Sequence, residues 1–217
     1  MSFETPLPTT PILETARLVL RPVELRDAPA IQRDFPDWEL VKHLHAGIPW
    51  PYPQDGAIAN IRDCLARRAR GEKFFWVLTL KGGDDEAIGR IDLGPYDGET
   101  RDTRGFWLAR RFWGRGLMTE AAEAVTGYAF EVLGWPFLYL NNAAENRASH
   151  RIKEKQGAEI VDVLPHPYMS GDGMRVTWIL RREVWLARKA MAGVRPRRLR
   201  GPPSRSSRPA ERRPGRC

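Results

Sequence analysis

The chain has 217 residues, a formal net charge of +8 and 42% hydrophobic residues, a size that suits one domain with an appendage. It holds no run of roughly 18 apolar residues, the length of a membrane span, and residues 1–10 lack the basic and apolar regions of a secretory signal. The two cysteines, Cys64 and Cys217, and four scattered histidines form neither a disulfide framework nor a metal-ligand pattern, so no metal and a reducing cytoplasm are expected.

The charge is confined to one place. Between Ala190 and Cys217 stand nine arginines and one acid, Glu211, which leaves the rest of the chain neutral. This Arg-, Pro-, Gly- and Ser-rich stretch has too little apolar surface to offset its ordering entropy. The expected organisation is a flexible N-terminus over 1–11, a domain over 12–192 and a disordered tail over 193–217. A basic tail suits a weak RNA or ribosome contact; a solvated extension without a partner is the plainer reading.

Through the domain the pattern alternates strands and helices. Residues 17–21 read as a strand closed by Pro22, and residues 25–38 as a helix with Asp27 and Pro29 in its first turn. After a Pro- and aromatic-rich loop, residues 54–70 suit a second helix ending at Gly71. The apolar run 74–80 predicts a strand buried on both faces. Residues 87–93 and 104–109 follow as strands.

The clearest helix covers residues 117–133, with apolar positions at helical spacing and Gly134 as its stop. Strands are then expected over 137–140, 159–163 and 176–180, with a helix over 146–156 and a last one over 182–191. Gly171, Asp172 and Gly173 mark a hairpin turn. The order predicts an α/β layered domain without internal repeats.

The segment from Arg110 to Leu117 reads Arg-Arg-Phe-Trp-Gly-Arg-Gly-Leu and joins a strand to the strongest helix. Gly114 and Gly116 permit a tight turn with exposed N–H groups. With the positive end of a helix dipole, those groups suit a phosphate, and Arg111 and Arg115 add charge. The pattern is neither a Walker loop nor Gly-x-Gly-x-x-Gly. On spacing alone an ordinary glycine turn fits as well.

Arg111-x-x-Gly114-x-Gly116 is similar to the pyrophosphate-binding motif of the GNAT superfamily of N-acetyltransferases. The chain resembles its RimJ/RimL-type branch over about residues 12–188, with Leu13 to Pro22, Phe106-Trp107-Leu108, Thr119-Glu120-Ala121 and Asn146-Arg147-Ala148-Ser149 in order. The resemblance implies a mostly antiparallel central sheet with splayed central strands, flanked by helices. It implies acetyl-CoA as co-substrate and an amine acceptor, a protein N-terminus or a small amine, in a direct transfer. A non-catalytic acyl-CoA-binding module tethered by the tail is the alternative from another class. Monomer and homodimer both remain open.

By the same resemblance, strands 104–109 and 137–142 admit the pantetheine arm. Main-chain groups of Trp107, Leu108 and Ala109 meet it, with Asn141 counted among the contacts. The amides of Arg111, Trp113, Gly114, Arg115, Gly116 and Leu117 meet the phosphates. Asn146 binds the cofactor, and Ser149 stands near its sulfur as a proton donor; read without the family, the pair also fits a helix cap. Relatives often carry a glutamate where this chain has Thr103. Asp92 is the substitute proposed for the base, with an ion pair to Arg90 as its plainer role, and Asp102 and Glu99 as further options. His43, His45, Trp50, Tyr52 and the 166–168 segment are expected near the acceptor or in ordinary loop roles.

Overall fold

A computed structural model describes residues 6–193. Eight strands form two antiparallel sheets. The first has the order β1 (Leu13–Glu14), β2 (Leu18–Pro22), β3 (Phe74–Leu80), β4 (Gly89–Leu93), β5 (Phe106–Leu108). The second has the order β6 (Phe137–Ala143), β8 (Gly171–Arg181), β7 (Glu159–Tyr168).

Helices cover both faces of the first sheet. β3 shows why, because a period of two sends alternate side chains to opposite faces. Phe74, Trp76 and Leu78 enter a core shared with α4 (Leu117–Gly127), the second sheet and Trp185 of α6 (Arg182–Gly193). Phe75 and Val77 enter a second core with α1 (Ala28–Asp34), α2 (Trp38–Val41) and α3 (Gly56–Ala69). Burying each such side chain contributes about 1.5–3 kcal/mol before entropy is counted.

The two sheets meet at one point and part beyond it. Thr103 donates from its main-chain N–H (2.9 Å) and its hydroxyl (2.8 Å) to the carbonyl of Tyr139. Asn141 adds a side-chain bond to the carbonyl of Arg101. Past this junction β5 and β6 belong to different sheets. The splayed pair expected from the family is this gap.

Several elements differ from the sequence reading. The expected helix over 25–38 is a short 3-10 turn, then α1, then α2, because Pro36 breaks the run and Asp37 caps α2 through the N–H of Glu39. The long helix over 117–133 is α-helical only to Gly127 and continues as a π-helical turn over Tyr128–Val132. Strand β7 runs to Tyr168 through Pro165 and Pro167, which an edge strand tolerates because one side lacks a ladder partner. The hairpin turn therefore falls at residues 169–170, ahead of the expected glycines.

Residues 6–11, expected to be free, are tied down. Leu7 donates to Gly71, and the carbonyl of Pro11 accepts from the indole of Trp76. The arginine-rich tail beyond Gly193, with its suggested RNA or ribosome contact, lies outside the described residues. No helix among the described residues is long and apolar enough to cross a membrane.

Candidate active site

The gap between the sheets continues into a cleft of about 510 Å³, bounded by β5, the start of α4 and α5 (Arg147–Gln156). On one wall, residues 110–112 form a 3-10 turn, and Gly114 (φ 75°) and Gly116 (φ 73°) take left-handed conformations. Gly116 occupies the N-cap position of α4 without a side-chain cap. The first amides of the helix thus lack the partner that Ser, Thr or Asp supplies elsewhere. A Cβ added at Gly114 would meet no protein atom within 4 Å, so the space over that glycine is open to a ligand.

A brace from the N-terminal segment fixes this loop. Arg17 donates from Nη1 to the carbonyl of Arg115 (2.8 Å) and from Nε to Glu120 in the first turn of α4 (2.7 Å). The main-chain N–H of Arg17 (2.8 Å) and the hydroxyl of Thr15 reach the other oxygen of Glu120. Burial works against the charged carboxylate of Glu120, but these donors outweigh it and hold its pKa below the usual range.

The predicted positive charges separate into two roles. Arg111 is bound to Asp34 and Glu86, with its guanidinium over the ring of Phe112. It ties the loop to α1 and is not presented to the cleft as a free cation. Arg115 stacks on the same ring, 5.4 Å from its centre. Three cations lining the cleft are on the opposite wall: Arg147, Arg151 and Lys155 stand four residues apart on α5. The sequence reading missed them, although their spacing sets them on one helix face.

Strand β5 has one bonded edge and one free edge. Ala109 donates to Ile88 (2.8 Å), and its carbonyl accepts from Phe112 (2.9 Å). Gly105 offers its carbonyl to Asp92 of β4 (2.9 Å). Alternation along the strand therefore turns Trp107 toward β4 and the main-chain groups of Phe106 and Leu108 toward the gap. Of the expected contacts, Leu108 keeps that place. Both main-chain groups of Ala109 are taken, and the side chain of Trp107 packs in the second core against Phe35. The Leu108 carbonyl accepts from the indole of Trp113 (2.7 Å).

Asn146 and Ser149 start α5 beside the cleft. The Asn146 side chain accepts from the N–H of Ser149 (3.1 Å), so the cap is real. Ser149 is buried, and its Oγ lies 2.7 Å from Nζ of Lys153, one turn along. Asn141 sits at the junction of the sheets, where its Oδ1 is buried without a partner among the described residues.

Asp92 does not line the cleft. Its carboxylate is engaged by Lys73 (2.5 Å) and by the N–H of Gly105 (3.1 Å). The expected pairing with Arg90 does not form; Arg90 instead contacts Asn60 and Cys64. Asp102, at the junction, has its carboxyl pushed up, chiefly by burial and against the pull of Lys73. Glu99 lies in an exposed turn.

The mouth of the cleft carries Glu39, Lys42, His43 and Glu145. The tip of the β7–β8 hairpin holds this rim, with Met169 donating to Leu44 (3.0 Å) and Ser170 to Lys42 (3.2 Å). Burial, then the neighbouring Lys42, lowers the pKa of His43. His45 forms an isolated bridge with Tyr168, while Trp50 packs at a tilt against Trp38 and Tyr52 against Phe35.

A split sheet, a strand with a free edge and an uncapped glycine loop at a helix start together define an acyl-CoA-dependent transferase site. Comparison with known proteins identifies the family. Residues 17–159 match the acetyltransferase (GNAT) domain, and the chain belongs to that family. It is an acetyl-CoA-dependent N-acetyltransferase, the activity expected from the resemblance.

Among its relatives, the uncharacterized N-acetyltransferase YoaA of Bacillus subtilis (strain 168) is 28% identical over 164 residues, covering 75% of this chain and 90% of YoaA. The fold is shared with RimJ of Mycobacterium smegmatis, solved with a CoA-disulfide (TM-score 0.68, 21% identity, 81% of this chain and 89% of that one). It is shared also with RimL, a ribosomal L7/L12 alpha-N-protein acetyltransferase solved with coenzyme A (TM-score 0.66, 16% identity, 79% and 98%).

Proposed function

We propose that the chain transfers the acetyl group directly from acetyl-CoA to the terminal amine of a protein, both substrates being held together in the cleft. The observation that carries direct transfer is the continuity of that cleft from the Gly114–Gly116 loop past Ser149 to Glu39, His43 and Glu145. Among the described residues no cysteine lines the cleft to take the acetyl group first. The cysteine among the described residues, Cys64, is on the buried face of α3, and burial raises its thiol pKa.

The amides from Gly114 to Leu117 would hold the phosphates, with Arg147, Arg151 and Lys155 supplying charge from the facing wall. The free edge of Phe106 and Leu108 would take the pantetheine arm as an added strand. Ser149 would supply a proton to the departing sulfur. The carboxylates of Glu39 and Glu145 at the mouth suit an incoming ammonium. The fold shared with RimL, a ribosomal L7/L12 alpha-N-protein acetyltransferase, supports a polypeptide as the acceptor.

The test is an acetylation screen read by mass spectrometry, with peptides of varied N-terminal residue set against polyamines and aminoglycosides. N-terminally acetylated peptides are the expected products. Acetylation of small amines alone would replace the acceptor class, and no product with any amine would remove the proposal.

A further inference from the structure

Behind Ser149 lies a buried polar cluster that the resemblance does not explain. Lys153 and Arg104 are 1% and 2% exposed. Neither forms an ion pair with a carboxylate among the described residues. Arg104 donates to Thr126 and to Oε1 of Gln156 (2.9 Å), and Gln156 reaches Glu123 (3.0 Å). Lys153 has Ser149 Oγ at 2.7 Å, the Ser149 carbonyl at 3.4 Å and the ring of Phe106 5.5 Å from Nζ.

A buried cation without a counter-charge is costly, and an apolar side chain of equal length would pack there more cheaply. The side chain therefore calls for a purpose beyond packing. Burial first, then the positive charge of Arg104, lowers the pKa of Lys153 well below that of an ordinary lysine, with Asp102 opposing. An uncharged amine has a lone pair to offer its neighbour, and the neighbour here is the cleft-lining hydroxyl.

We propose that Lys153 is the positioning residue of Ser149, a proton store that acts on the reaction through the serine hydroxyl. This rests on the reading of Ser149 as the group beside the thioester sulfur. As the acceptor nitrogen bonds to the acetyl carbon, it sheds a proton to Oγ while Oγ passes its own hydrogen to Nζ. As the carbon–sulfur bond breaks, Oγ gives a hydrogen to sulfur and recovers one from the Lys153 ammonium. Nζ ends neutral, and one proton has moved from nitrogen to sulfur. Both atoms are bonded to the same carbon during transfer, so one hydroxyl beside that carbon reaches each in turn. The relay needs no carboxylate in the cleft, which accounts for Thr103 at the position where relatives carry a glutamate and for Asp92 being held by Lys73.

The test joins kinetics to a direct view of the amine. In the wild type, the 13Cε resonance of Lys153, assigned by its contact with the Phe106 ring, should titrate far below the other lysines. Turnover should fall on the acid side as Nζ protonates. The charged groups that act on Nζ are Arg104 and Asp102 from the strand side; Glu123 and Asp92 act on Arg104, and His150, Glu154 and Lys155 are the nearest titratable neighbours along α5.

Lys153→Met should lower kcat at least tenfold, leave the KM for acetyl-CoA within twofold and abolish the acid limb. Lys153→Gln, polar but not basic, should behave alike. A Lys153 resonance that titrates with the other lysines overturns the proposal, even if both variants fail to fold. So does a Lys153→Met enzyme with the wild-type pH profile. If Ser149→Ala is slow and Lys153→Met is not, the relay alone is lost. If Ser149→Ala is unaffected, the reading of the serine is lost with it.

Discussion

Arg17 reaches across about a hundred residues of sequence to donate 2.8 Å into the main-chain carbonyl of Arg115, while its Nε holds Glu120 on the first turn of α4. Holding the Arg115 carbonyl fixes the loop whose Gly114, Gly116 and Leu117 line the cleft. Arg17→Met should raise the Kd for acetyl-CoA about tenfold, the worth of one charge-assisted hydrogen bond, with less effect on kcat. Glu120 carries a pH signature. Its pKa is lowered in the folded state, so its contribution to stability is full above the ordinary carboxylate pKa and is lost as pH falls through the folded value. Denaturation of Glu120→Gln should show a deficit at pH 7 that is smaller at about pH 3, below the ordinary carboxylate range. An unchanged deficit at both values would place the effect in packing.

Gly114 separates folding from binding. Its φ of 75° strains any residue with a Cβ, at about 1–2 kcal/mol, but nothing in the protein blocks the added atoms. Gly114→Val should therefore remain folded with a modestly lower Tm and show no heat of acetyl-CoA binding by calorimetry. Binding that survives intact removes the loop from the cofactor site.

Arg111 should behave as a strut. Its partners Asp34 and Glu86 belong to the α1 side of the fold, and exposed ion pairs contribute about 0.2–1 kcal/mol each. Arg111→Ala should lower Tm by a few degrees and change acetyl-CoA affinity less than threefold. A tenfold loss of affinity at unchanged Tm would mean that the guanidinium leaves its carboxylates for the phosphate.

The sequence displays these features unequally. The glycine loop, the uncapped helix and the two-faced strand β3 are legible because each depends on neighbours in the chain. Pro36 could have been read as the break in the first helix by its ring alone. Arg17 and Glu120 stand in separate segments that resemble the family, but nothing local says that residues so far apart meet as a brace. Asp92 and Arg90 stand two residues apart, so a strand sets them on one face; a shared face does not name a partner, and Lys73 beside β3 takes the carboxylate. Nothing in the sequence sets Lys153 apart from the other charges of α5. Only the packing of α5 against Arg104 and Phe106 shows that it is enclosed.

Ser149 should be separable from its helix cap. Ser149→Ala keeps the N–H that Asn146 accepts from, so α5 and acetyl-CoA affinity should persist. Loss of a general acid should lower kcat by about 10²-fold or more. Asn146→Ala, in contrast, removes the cap and should destabilise the protein by about 1 kcal/mol. Equal losses of Tm in the two variants would assign Ser149 to structure.

The enclosure of Lys153 also sets a pH dependence of stability with a definite sign. In the unfolded chain the amine keeps its proton up to about pH 10.4, whereas the folded chain releases it at much lower pH. Between those values the unfolded state binds more protons, so stability rises with pH. Below the folded pKa the full cost of a buried ammonium is present. Lys153→Met removes the ammonium, and its stabilising effect should be largest in acid and shrink toward pH 10. Arg104, whose pKa is lowered to about 10 chiefly by burial, titrates only at the top of this window, so the comparison is read in its lower part. Thermal unfolding of both proteins from pH 5 to 10 is the measurement, with about 2–4 °C of Tm expected per kcal/mol for a chain of this size. A Tm difference that is flat across the range would mean that Lys153 keeps its proton in the folded state, and the serine would then have no base behind it.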